Sequence, residues 1–120
     1  MTDLRHTRPL SQVEIEDRIQ DVIEEMERAT EEYETMSKDA AEAEADYKNR
    51  FARATLAVIE HSEKMTVGER EARVTIMCKD EHKTYLVTQA TRNSRREYLT
   101  TIRAHLDALR TLNASVRNQT

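Results

Sequence analysis

From Gln12 to Glu60 the chain repeats apolar residues at alternating steps of four and three: Ile15, Ile19, Val22, Met26, Ala29, Tyr33, Met36, Ala40, Ala43, Tyr47, Phe51, Ala54 and Val58. This is a heptad seam with one stutter, where the step from Tyr47 to Phe51 adds a second consecutive four. No Gly or Pro interrupts it. A continuous helix over this stretch would be roughly 70 Å long at the rise of an α-helix. An apolar stripe that narrow and that long needs a second long helix to cover it, from the same chain or from a copy of it. The expected architecture is therefore all-α, with a long N-terminal coiled-coil helix at its centre.

Composition supports this class. With 120 residues, one Gly, one Pro and no Trp, the chain lacks the turn residues that a many-stranded fold requires. Its single cysteine, Cys78, has no intramolecular disulfide partner, so a reducing cytoplasmic location is expected. The opening MTDLRHTRPL has no apolar segment of the signal-peptide kind, and no window approaches a membrane span, so no membrane partner is expected.

Local signals divide the chain. Residues 1–10 read as a flexible arm and 11–120 as one helical domain. Ser11 and Glu14 form a capping box, with Leu10 and Ile15 at the positions of a hydrophobic staple. This begins a first helix of about 12–63. Thr66 and Glu69 form a second box, which puts a reversal over Met65 to Gly68 and a second helix at about 67–91. Ser94 and Glu97 form a third, which starts a final helix of about 95–117, after a break or as a kinked continuation. The seam of that last helix is Leu99, Ile102, Leu106 and Leu109, and it reads as the oligomerisation contact of a helical bundle.

Charge is divided along the chain. Gln12 to Asp46 holds fourteen acids and three bases, a balance of −11, whereas His82 to the C-terminus holds seven bases and two acids, or +5. The sequence Tyr47-Lys48-Asn49-Arg50-Phe51-Ala52-Arg53 sets three bases beside two of the five aromatics. Phosphates are neutralised by Lys and Arg, and single-stranded bases stack on aromatic rings, so Lys48, Arg50, Phe51 and Arg53 are candidate nucleic-acid contacts. Arg92, Arg95 and Arg96 are secondary candidates. The same residues also read as core knobs flanked by solvated bases, with the arginine cluster paired to the acidic helix. No glycine-rich phosphate loop, nucleophile elbow, HExxH or CxxC occurs. His82 has no second His or Cys at metal-ligand spacing, and Cys78 has no dedicated His. No catalytic residue, metal site or cofactor is expected.

Lys48-Asn49-Arg50-Phe51, followed by a reversal, a charged helix and a C-terminal apolar helix with the turn Leu106-Asp107-Ala108-Leu109, resembles the UvsY-like recombination mediators of bacteriophages. The likeness covers roughly Glu42 to the C-terminus, and the long acidic stretch before it departs from the family pattern. The resemblance implies a non-enzymatic homo-oligomer that binds single-stranded DNA through Lys48 and Arg50. It further implies a role in loading a RecA-like recombinase where single-strand-binding protein sits. The rival expectation is a coiled-coil scaffold or interaction protein with no nucleic-acid role, whose divided charge only sets helix register.

Overall fold

The computed structural model describes residues 10–61 and 64–119, and over these the chain is all-α, with three helices and no strand. Helix α1 spans Gln12–His61, α2 Val67–Met77 and α3 Lys79–Asn118. None is long and apolar enough to cross a membrane. The expected arm over residues 1–10 lies outside the described residues except for Leu10, which is half-buried just before α1.

Helix α1 starts where its capping signal stands. The Ser11 hydroxyl accepts the Glu14 N–H at 3.2 Å, and the Ser11 carbonyl accepts the Ile15 N–H at 3.1 Å. The first is a cap that satisfies a donor otherwise orphaned at the helix end, and the second is the first intrahelical bond of α1. Ile15, one turn in, is fully buried. Along the seam every residue from Ile15 to Tyr47 is buried or half-buried, as are Ala54 and Val58. Phe51 is the exception, with 45% of its surface exposed. The step from Tyr47 to Ala54 is seven, so the buried seam keeps its heptad there and the stutter turns Phe51 outward.

The second helix also starts as its sequence dictates. Thr66 holds an extended backbone (φ −70°, ψ 162°) and its hydroxyl accepts the Glu69 N–H at 3.2 Å. Gly68 sits within the first turn of α2 rather than in the reversal. Its φ is not positive, and a Cβ built there meets nothing within 4 Å. Glycine's conformational freedom is therefore a cost without a use at this position. Gly68→Ala is expected to stabilise the fold by a few tenths to about 1 kcal/mol through the unfolded state, read as a higher urea midpoint at unchanged slope.

The remaining boundaries differ from those expected. Helix α2 ends at Met77, well before residue 91, and no break occurs at Asn93-Ser94, where α3 runs straight through. A Ser-x-x-Glu pattern caps a helix only where the chain enters from an extended conformation. Ser94 is followed at helical spacing by the buried residues Leu99, Ile102, Leu106 and Leu109, so packing keeps it inside α3. The observed joint is Cys78, at φ −99° and ψ 8°. It retains helical bonding on both sides: its N–H donates to the Val74 carbonyl at 3.0 Å, and its carbonyl accepts the His82 N–H at 2.9 Å.

The chain forms two compact units. In one, α1 up to Glu31 and α3 from Arg96 contribute Ile15, Val22 and Ala29 on one side and Leu99, Ile102, Leu106 and Leu109 on the other, all buried. The Tyr98 hydroxyl donates to the Glu25 carboxylate within this unit. The four C-terminal seam residues expected to form an oligomer contact have their side chains covered within the single chain.

The second unit is Glu32–Arg95. Its core is Ala54, Val58, Val74 and Cys78, with Tyr47, Met65 and Met77 packed against it, and Ala40 and Ala43 are buried higher on α1. Alanine and cysteine at these positions let helix backbones approach closely. Contacts between Glu32 and Arg95, and between Arg50 and Glu81, show that α1 and α3 run antiparallel within this unit.

Candidate nucleic-acid interface

Lys48, Arg50, Phe51 and Arg53 occupy two turns of α1 in the second unit. Lys48 is the most open, with 71% of its side chain exposed, and its Nζ lies 2.9 Å from the Glu44 carboxylate one turn back. Arg50 faces α3, its Nε 3.9 Å from Glu81 Oε1. Arg53 is exposed and has no ion-pair partner among the described residues.

Aromatic rings cluster around Tyr47 on the same stretch of α1. Tyr47 is half-buried and stacks on His82 (centroids 4.7 Å apart, planes at 21°) and on Tyr85 (5.6 Å, 17°). Phe51 meets Tyr47 edge-on at 6.1 Å. The rings of His82 and Tyr85 anchor Tyr47, and the exposed part of Phe51 is left open beside Lys48 and Arg50. The sequence did not single out His82 and Tyr85 for this site. They join it only because α3 runs antiparallel to α1, and the signal available was their three-residue spacing, which places both on one helix face.

The secondary arginines are placed differently from one another. The charge of Arg92 helps to lower the Glu44 carboxyl, so this residue acts on the same patch from α3, and its guanidinium donates to the neighbouring Asn93 side chain at 3.3–3.4 Å. Arg95 is paired with Glu32 at 3.0 Å. Arg96 belongs to the first unit, where it is exposed. The structure thus gathers Lys48, Arg50, Phe51, Arg53 and Arg92 within one unit, while Arg95 is held by an acid and Arg96 is grouped elsewhere.

The Lys48–Glu44 pair shifts both partners. The hydrogen bond and charge of Lys48 hold the Glu44 carboxyl below its ordinary value, and those of Glu44 hold the Lys48 ammonium above its own. A lowered acid contributes above its ordinary range and loses that contribution as pH falls through its depressed value. A raised base contributes below its ordinary range and loses it as pH rises through its elevated value. The pair is therefore intact between about pH 5 and 9. Lys48→Ala is expected to return the Glu44 titration upward towards the ordinary carboxylate range in a carbon-detected NMR titration. An unmoved midpoint would mean that the pair does not persist in solution.

Exposed ion pairs are weak and screened by salt, so a phosphate arriving at the patch competes with Glu44 and Glu81 rather than with a locked network. Among the described residues, no three His, Cys, Asp or Glu side chains come together as metal ligands. No protein-family model matches the chain, and neither a curated protein nor a solved structure matches it.

Proposed function

We propose that this chain is a non-enzymatic, self-associating mediator that binds single-stranded DNA and assists loading of a RecA-like recombinase, against single-strand-binding protein, in phage recombination or replication in the host cytoplasm. The observation that carries this reading is that Lys48, Arg50 and Arg53 stand on two turns of α1 together with a Phe51 ring that is 45% exposed and meets, edge-on, the Tyr47 ring stacked on His82 and Tyr85. Phosphates would run along the bases while nucleobases stack on Phe51. The resemblance of Lys48-Asn49-Arg50-Phe51 to the mediators' motif supports the same residues. A net charge of −4 repels DNA in general, so one protomer binds feebly and repeated patches in an oligomer gain by multivalency.

A second reading, the coiled-coil scaffold, is favoured by one specific observation: Lys48, Arg50 and Arg95 each sit against a carboxylate of their own protomer. Under that reading the divided charge only sets helix register. Fluorescence anisotropy of a labelled single-stranded oligonucleotide separates the two. The mediator reading expects binding whose logarithmic salt slope is about 0.7 per phosphate contact. Absence of binding at low salt by a verified oligomer would leave the scaffold reading standing.

A further inference from the structure

The end of α1 and the outer side of α2 enclose an open groove of about 450 Å³ in the second unit, walled by Phe51, Val58, Ile59, Val67 and Val74. Ile59 and Val67 are 51% and 69% exposed there. We infer that this groove is the contact by which a second copy of the chain docks. The inference deepens the proposed function, which requires self-association, and names the surface that provides it.

Three observations select this occupant. First, the C-terminal leucine seam is buried inside the protomer, so it is not available for assembly. Second, apart from Arg70 and Glu71 the groove is lined by apolar side chains and two threonines, and it offers few convergent groups to orient a small polar ligand. Its two threonines turn their hydroxyls back into their own helices, Thr55 donating to the Phe51 carbonyl at 2.8 Å and Thr75 to the Glu71 carbonyl at 2.9 Å. Small-molecule sites rely on a few convergent polar groups, whereas an open apolar trough suits another protein surface.

Third, the charge around the groove complements itself. The first stretch of α1 carries −11 and would repel a copy, but α2 carries Glu69, Arg70, Glu71 and Arg73, two of each sign. Arg70 and Glu71 both line the groove. A two-fold contact sets the same patch against itself, so a surface holding both signs side by side can place each acid near the partner's base. Phe51 belongs to both groove and basic patch, so docking here would bring the patches of two protomers into one neighbourhood, as multivalent binding needs, while a docked copy and a stacked nucleobase would compete for the Phe51 ring.

The test is sedimentation velocity of the full chain over a wide concentration range, with circular dichroism as the folding control. Ile59→Glu places a good helix former at an exposed α1 position, and Val67→Asp places an acid at the first position of α2, where it suits the helix dipole; neither is expected to unfold the chain. Wild type is expected to self-associate, and each variant to weaken association at least tenfold at unchanged helicity. Leu86→Glu, at a similarly exposed position on α3, is the control and should leave association intact. A monomeric wild type, variants that associate like wild type, or a Leu86→Glu variant that dissociates equally would each overturn the assignment. DNA binding is titrated separately on the same samples. A wild type that ignores DNA but loses association on these changes sinks the nucleic-acid reading and leaves the groove assignment in place. Failure of the variants to dissociate, with DNA still bound, does the reverse.

Discussion

Leu106→Ala should destabilise the folded protomer by about 2–5 kcal/mol, a large part of the stability expected for a domain of this size. Leu106 is 2% exposed, the most deeply buried of the four leucine-seam residues on α3. Truncation removes the transfer free energy of the lost methyl groups and leaves a cavity between helices that cannot fully collapse, because each is held by its own hydrogen-bond ladder. The readout is urea unfolding followed by circular dichroism at several protein concentrations. If Leu106 is buried within one protomer, the midpoint falls by the same amount at every concentration. If it were buried between protomers, the loss would grow on dilution by mass action. Leu109→Ala should behave alike, at 6% exposure, whereas Leu112→Ala, 41% exposed on the same helix, should cost little.

That contrast shows what could be read before the structure. Periodicity located the stripe on α1 and the stripe on the last helix, and the Ser11 and Thr66 boxes located two helix starts, because caps and heptads are local properties of neighbouring residues. Periodicity does not say what covers a stripe. Whether Leu106 meets Ile15 and Val22 of its own chain or a neighbour's leucines depends on a long-range choice that the same 4-3 spacing permits either way. The helix boundaries after residue 77 were illegible for a related reason. Cys78 carries no Gly, Pro or capping signal, yet the backbone turns there with its flanking hydrogen bonds kept. Ser94 carries a strong capping signal that the packing of Leu99 onward overrides.

The candidate interface was legible in half. Lys48, Arg50 and Phe51 are adjacent in sequence, so their clustering needed no fold. The Tyr47 stack on His82 and Tyr85 joins residues more than thirty apart, and only the antiparallel course of α3 brings them together. The same course brings Glu81 to Arg50. Burial of the seam and placement of the basic patch therefore have one cause: when α3 folds back along α1, it supplies the apolar cover, the ring support and a competing carboxylate. A nucleic acid at this patch must displace acids that the fold itself has put there.

That competition shapes the last expected result. Lys48→Ala combined with Arg50→Ala should weaken single-stranded DNA binding at least tenfold at moderate salt and flatten the logarithmic salt slope by about 1.4, which is two contacts at about 0.7 each. The fold should survive, since both side chains are substantially exposed. Glu44 and Glu81 then lose their counter-charges, so the local field turns more negative and the loss in affinity should exceed what two deleted contacts alone would give. Glu81→Gln is the informative companion. It frees Arg50 without touching a base, so it should strengthen binding and leave the salt slope unchanged or steeper. The pair of variants discriminates between the two readings by sign. A DNA-binding patch restrained by its own acids loses affinity with one and gains with the other. A register-setting charge pair shows no DNA binding in either, and registers both substitutions only as a small drop in unfolding midpoint.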